Sequence, residues 1–136
     1  MIPESLGNRQ ALEILCLAHN QISYLPDSLQ NCRNLKFLGV GNNNLSIIPP
    51  WIGDLVMLEA LYFPCNHIEY VPEEIGKLVS LKKCILGGNA ITEVPESLLL
   101  LPKLETIEID QNKLSRQSRN IVNELRKRGV LVIGDR

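Results

Sequence analysis

The sequence predicts an α/β solenoid, in which short parallel strands stack side by side and helical turns return the chain between them. The first observation is a strict period of 23 residues, repeated five times without insertion or deletion. The second is that each copy alternates inward apolar residues with other residues over a strand length. The third is an asparagine at a fixed place in every copy, together with a series of five prolines that has the same period. One such unit cannot bury its apolar side alone, so the units must stack to form a core.

The strand of each copy begins at a leucine and runs to the asparagine. In the middle copy, Leu58, Leu61 and Phe63 are expected to point into the core, and the residues between them outward. Successive units travel the same loop, so their strands must run parallel. The five segments are LEILCLAHN (12–20), LKFLGVGNN (35–43), LEALYFPCN (58–66), LKKCILGGN (81–89) and LETIEIDQN (104–112).

The asparagine at the ninth position is expected to hold the turn that follows each strand. Its amide group offers two donors and one acceptor to the backbone groups that the turn exposes. Stacked units would place these amides in a ladder. The five asparagines are Asn20, Asn43, Asn66, Asn89 and Asn112.

Each proline of the series is expected to start a return segment, because its fixed φ suits the first turn of a short helix. An aliphatic residue precedes each proline, and a leucine or isoleucine three residues later is expected to turn inward. The five prolines are Pro3, Pro26, Pro49, Pro72 and Pro95.

The N-terminal end departs from the repeat. Residues 1–11 hold the return half of a unit whose strand is missing, which leaves the strand at 12–20 with an open edge. We therefore expect either pairing at this edge or additional repeats on this side. The length suits one domain, 1–136, with a partial repeat at 1–11, five repeats over 12–114 and a cap at 115–136.

The C-terminal end predicts a cap made of a helix and a strand. Residues 118–128 have an amphipathic pattern, and Gly129 can end a helix in a left-handed conformation. The stretch VLVI then predicts a sixth strand. Val130 and Val132 fall 23 residues after Ile107 and Ile109, and this spacing predicts the pairing register.

The motif LxxLxLxxNxIxxLPxxLxxLxx, which covers roughly Ile2 to Leu114, closely resembles the leucine-rich repeat family. It is most similar to the 23-residue intracellular class of Ras-associated and Scribble-like scaffold proteins. The resemblance implies a right-handed curved solenoid with a parallel sheet on its concave side and short helical turns on its convex side. It also implies a protein-binding module that uses the concave side.

Two alternatives follow from the same resemblance. Arrays similar to this one occur beside kinase, phosphatase, GTPase or ubiquitin-ligase domains. The chain could therefore be a regulatory or substrate-recognition segment of a larger signalling enzyme. It could also be a bacterial effector that binds a host protein.

The outward residues of the strands form the candidate binding site, because an exposed apolar patch usually marks an interaction surface. Aromatic anchors such as Phe37 and Tyr62 are favoured at interfaces. Four small residues are expected to deepen the groove beside them: Gly39, Gly41, Gly87 and Gly88. The candidate contact residues are Ile14, Cys16, Phe37, Tyr62, Lys83, Ile85, Glu108 and Asp110. The alternative is that these outward apolar residues have no binding role, or that a missing N-terminal region covers them.

Charges are balanced along the sheet and concentrated in the cap. The second strand position alternates in sign, which favours neighbouring strands in register: Glu13, Lys36, Glu59, Lys82 and Glu105. The cap is basic, with Lys113, Arg116, Arg119, Arg126, Lys127, Arg128 and Arg136. A solvated cap face is the expectation, and a docking surface for an acidic partner is the alternative. The net charge of −1 gives no reason to expect nucleic acid as a partner.

The four cysteines are expected to be free thiols. Cys32 and Cys84 occupy slots that other copies fill with leucine or isoleucine, so they are predicted to lie in the core. Cys16 and Cys65 lie outside it, two repeats and therefore about 10 Å apart, beyond the ~7 Å Cα separation that a disulfide allows. Free thiols favour a reducing compartment, and we expect a cytoplasmic location.

We predict no catalytic residue, metal site or cofactor, and we do not expect the chain to be an enzyme. His19 and His67 occupy different slots two repeats apart, and no CxxC motif is present. The glycine-rich stretches GVGNNN and GGNA lack the GK[ST] that a phosphate-binding loop would add. No apolar run approaches the ~18 residues that span a bilayer, so membrane insertion is not expected.

Overall fold

The structure is a computed structural model that describes residues 2–134, where it places a six-stranded parallel sheet. The strands lie in the order in which they occur in the sequence. They are β1 (Ile14–Cys16), β2 (Phe37–Gly39), β3 (Ala60–Tyr62), β4 (Lys83–Ile85), β5 (Thr106–Glu108) and β6 (Leu131–Ile133). The predicted α/β solenoid with its parallel sheet is confirmed.

The strands of the five repeats pair in the register that the 23-residue period predicts. Leu15 pairs with Leu38, Leu38 with Leu61, and Leu61 with Cys84, and all four side chains are buried. The alternate residues on either side of each face outward. One face of the sheet therefore contributes to a continuous core, and the other is open.

The return segments are five short 3-10 helices on the side of the core opposite the sheet. Each begins after a repeat proline rather than on it, which corrects the predicted position of the proline. The proline is extended, with ψ between 141° and 154°. Its carbonyl accepts a hydrogen bond from the inward residue three places later, as in Leu29 N–H to Pro26 O at 3.1 Å. The helices are Glu4–Asn8, Asp27–Asn31, Pro50–Asp54, Glu73–Lys77 and Glu96–Leu100.

The C-terminal helix, α1, spans Arg116–Lys127 and therefore begins two residues before the predicted start. Ser115 is its N-cap and accepts a hydrogen bond from Ser118 N–H at 3.2 Å. The buried Ser118 hydroxyl accepts from Val94 N–H and donates to a Glu93 carboxylate oxygen, which ties the helix to the fourth repeat.

Strand β6 forms as expected, but in a different register. Ile107 pairs with Val132 and Glu108 with Ile133, a spacing of 25 residues rather than 23. The reason is that α1 and its turn, where Gly129 has φ +93°, need two more residues than a 3-10 return. Val130 instead closes the helix by donating its N–H to Leu125 O at 3.1 Å.

The ladder asparagines bond to two repeats at once. Asn43 donates to the carbonyl of Leu17 at 2.9 Å and accepts from Ile22 N–H at 3.0 Å, and both partners belong to the preceding repeat. Asn66 accepts from Leu45 N–H at 3.0 Å in the same way. The next two asparagines repeat the pattern. The amides therefore satisfy the backbone of one turn while stacking it on the next.

Asn66→Ala should lower the free energy of unfolding by about 3 kcal/mol, because Leu45 N–H and two buried carbonyls would lose a partner. Asn20→Ala is the matched control. Asn20 occupies the same slot but is exposed and donates only to Leu17 and Ala18 of its own repeat, so the loss should stay below about 1 kcal/mol. Urea denaturation measures both, and equal losses would contradict the inter-repeat role of the ladder.

Candidate binding surface

The outward residues of β1–β6, with the second residue after each of β1–β5, make up the concave face. Ile14 is 67% exposed and Tyr62 42% exposed, which is unusual for large apolar side chains on a structural sheet. The other candidate contact residues also lie on this face. Cys16, Lys83 and Asp110 are exposed, and Phe37, Ile85 and Glu108 are half-buried.

An aromatic stack lies at the N-terminal half of this face. The rings of Phe37 and Tyr62 have centroids 6.3 Å apart and planes inclined by 27°. Phe37 lies across Gly39, because a Cβ at that glycine would be only 2.7 Å from Phe37 Cε1. Gly39 is buried under the ring and does not deepen a groove, contrary to expectation. It leaves the space that lets Phe37 turn towards Tyr62.

A second glycine has the same role at the acidic end of the face. A Cβ at Gly87 would collide with the carboxylate of Glu108, so this side chain lies folded over the glycine. The folded carboxylate accepts a hydrogen bond from Asp110 N–H at 2.7 Å. No ion pair joins Glu108 or Asp110 to a cation within residues 2–134. In the described part of the chain, these two negative charges therefore have no ion-pair partner.

A cavity of about 360 Å³ opens beside these two carboxylates. Its walls include Pro64, Gly88, Asp110 and Ile133. The cavity lies at the carboxyl ends of the strands, where the concave face meets the loops. Its volume is at the lower end of the range for ligand pockets, and it is large enough for one side chain of a partner.

Strand β6 extends the concave face beyond the predicted row. Leu131 is 59% exposed beside Thr106, and Ile133 is 42% exposed beside Glu108. These two residues were not predicted as contacts. The alternation in VLVI indicates that both face outward, and the predicted register, which is offset by two residues, keeps them on the same face.

A left-handed backbone position precedes every ladder asparagine and forms the rim of the face. His19, Asn42, Cys65 and Gln111 have φ between 57° and 60°, and Gly88 has φ 71°. Sequence reasoning missed this left-handed position. The sequence does indicate it, because two of the five residues there are an asparagine and a glycine, which tolerate positive φ best.

Four of the five alternating charges at the second strand position form two ion pairs between neighbouring strands. Lys36 Nζ lies 3.3 Å from Glu13 Oε1, and Lys82 Nζ lies 3.8 Å from Glu59 Oε1. All four side chains are about half-exposed, so each pair stabilises the sheet by well under 1 kcal/mol.

The thiol of Cys84 lies in the core behind the acidic end of the face. Burial and, to a lesser extent, the negative charge of Glu108 raise its pKa to about 12. Cys32 is also buried, whereas Cys16 and Cys65 are exposed, and all four are free thiols.

An exposed apolar row also lies away from the concave face, and sequence reasoning missed it. Tyr24, Ile47 and Tyr70 occupy the same slot of successive repeats, just before the aliphatic–proline pair, and each is about half-exposed. The next residue in this row is Glu93, which pairs with Tyr70 in an isolated bridge.

Two further classes of site are not found among the described residues. Residues 2–134 contain no cluster of three or more histidine, cysteine or acidic side chains that could hold a metal ion. Over the same range, no helix has the length and apolar character needed to cross a bilayer.

Comparisons with known proteins identify the repeat. The family model for leucine-rich repeats in two copies matches residues 10–53. No curated protein matches the chain by sequence. Among solved structures, a leucine-rich repeat protein of Leptospira interrogans superposes on 97% of this chain with a TM-score of 0.88 and 29% sequence identity.

Two plant proteins share the fold as well. A plant peptide hormone receptor, solved in complex with the peptide RGF2, matches 83% of this chain with a TM-score of 0.77 and 30% identity. A plant ice-binding protein matches 83% with a TM-score of 0.74 and 24% identity, which shows a common fold alone. The chain spans 33% of the Leptospira protein and 19% of the receptor.

Raising the pH is expected to destabilise the folded chain through Cys84. Its pKa of about 12 lies above the ordinary value of 9.0, so the folded state keeps a proton that the unfolded chain loses. This contribution to stability is complete below pH 9 and is lost as the pH rises towards 12. Wild type should lose about 2 kcal/mol more than Cys84→Val between pH 8 and 10.5. Urea denaturation at each pH tests this, and parallel losses in the two proteins would contradict it.

Proposed function

Because the chain is a leucine-rich repeat solenoid, we propose that it is a protein-binding module that uses the concave face of its sheet. The observation that carries this proposal is the exposed apolar surface formed by Ile14, the stacked Phe37 and Tyr62, and Ile85. A patch of this kind costs solubility, and on a folded domain it usually marks an interaction site. Aromatic rings held in place before binding lose little conformational entropy when a partner covers them.

The plant receptor supports the proposal, because part of it has this fold and it is a peptide hormone receptor solved in complex with RGF2. The arrangement of the sheet also supports it. The strands are supported from behind by a continuous core, so the outward residues are presented from a rigid surface. We propose that the protein acts by binding rather than by catalysis, and in the cytoplasm, where its four free thiols would stay reduced.

Two alternative functions place the same concave face in a different protein context. A recognition segment within a larger signalling enzyme and a bacterial effector would both use the same concave residues. The similarity to a bacterial protein from Leptospira and to part of a much longer plant receptor is compatible with either. The resemblance to Ras-associated and Scribble-like scaffolds favours the cytoplasmic module.

The double substitution Phe37→Glu and Tyr62→Ala should reduce partner binding at least about tenfold, because it removes the aromatic anchors and buries a charge at the interface. Affinity purification from a cell lysate with quantitative mass spectrometry measures partner recovery. Tyr62→Ala alone provides a milder variant, and circular dichroism verifies that each variant folds.

Tyr70→Ala is the matched control. Tyr70 is 45% exposed against 42% for Tyr62, but it lies off the concave face. The Tyr70→Ala substitution should leave partner recovery unchanged. Recovery that survives Tyr62→Ala, or that falls equally with Tyr70→Ala, would contradict binding through the concave face.

A further inference from the structure

We propose that the partner presents an extended segment in which an apolar residue and a lysine or arginine are separated by about three residues. The apolar residue would pack on Tyr62, and the basic group would lie between Glu108 and Asp110. This inference rests on the proposed function and specifies the chemistry of the partner.

The apolar requirement follows from the stack. Phe37 is held across Gly39 and against Tyr62, so the exposed face of Tyr62 has a fixed orientation. Ile85 lies beside Tyr62 on the next strand and widens the apolar surface. A side chain that packs here removes apolar area from water without moving the protein.

The basic requirement follows from charge complementarity beside that surface. Glu108 pairs directly with Ile85 on the neighbouring strand, and Asp110 follows it at the strand end. Neither carboxylate forms an ion pair within residues 2–134, and the cavity between them and Gly88 is open. A cation placed there would pair with two carboxylates that have no cationic partner among the described residues, and an anion would be repelled.

The spacing follows from the sheet. Tyr62, Ile85, Glu108 and Ile133 occupy one row on four consecutive strands. Strands lie ~4.8 Å apart, so Tyr62 and Glu108 are separated by about 10 Å. An extended segment advances ~3.3 Å per residue, so a segment crossing the strands covers this distance in about three residues. One strand further, Ile133 offers a second apolar contact beyond the basic group.

Lys83 is the positive charge on the same face, and its position sets the path of the segment. It lies two residues before Ile85 on β4, about 7 Å from that residue along the strand. It forms no ion pair with Glu108 or Asp110 within residues 2–134. A basic partner group is therefore favoured only near the carboxyl ends of the strands, over the cavity.

The experiment uses random 12-residue peptides displayed on phage and selected on the intact chain at low salt. Three proteins serve as targets: wild type, Glu108→Gln/Asp110→Asn, and Phe37→Glu/Tyr62→Ala. Glu105→Gln is the control, because Glu105 is an exposed carboxylate beside the same strand but outside the cavity. Selected peptides are then synthesised and their affinities measured by fluorescence polarisation.

We expect the selected peptides to share a lysine or arginine three residues from an aromatic or aliphatic residue, in either direction. The Glu108→Gln/Asp110→Asn protein should bind them about fivefold more weakly, with Glu105→Gln unchanged, and added salt should reduce the difference. Peptides that depend on Phe37 and Tyr62 but show no basic preference would overturn this inference and leave the proposed function intact. Selection equal on wild type and Phe37→Glu/Tyr62→Ala would overturn both.

Sedimentation of the chain alone tests the competing occupant, a second copy. A dimer that Phe37→Glu/Tyr62→Ala dissociates would assign the concave face to self-association and would overturn the inference. A monomer at the concentrations used for peptide binding supports it.

Discussion

The hydrogen bonds of the asparagine ladder are the constraint on which the rest of the structure depends. Each turn after a strand directs backbone groups towards the neighbouring repeat, where an amide of the next asparagine must meet them within about 3 Å, as Asn43 meets Leu17 and Ile22. An inserted residue would shift the amide away and leave buried groups without partners, each at a cost of about 1–3 kcal/mol. The strict 23-residue period is the consequence in the sequence. Because the period is strict, outward residues fall into straight rows, and a binding face can form.

This constraint explains how much could be predicted. Parallel order, strand register in the five repeats and the inward or outward direction of Leu61 and Tyr62 all follow from the period and from the alternation along a strand. The cap lies outside the period. There α1 replaces a 3-10 return and adds two residues, so the register of β6, and with it the β5 neighbours of Leu131 and Ile133, required the structure.

The glycines of the concave face show a second limit of sequence reasoning. A missing side chain suggests an open groove, but in a row of closely spaced strands a neighbouring side chain can occupy the space. Phe37 covers Gly39, and Glu108 covers Gly87. The side-chain rotamers in each row determine which neighbour covers a glycine. The repeat pattern does not specify these rotamers. The glycines therefore orient the candidate contact residues instead of forming the groove.

The two halves of the concave face would contribute unequally to a complex. Covering the exposed part of Tyr62 and its neighbours removes on the order of 100 Å² of apolar surface from water, worth roughly 2 kcal/mol. An ion pair at a half-exposed carboxylate such as Glu108 adds about 0–1 kcal/mol. The stack therefore supplies most of the affinity. The carboxylates act through repulsion, because a segment that brought an acidic residue to Asp110 would desolvate like charges without compensation. In the proposed complex, the aromatic rings would therefore determine how tightly a partner is held, and the two carboxylates would determine which partners are rejected.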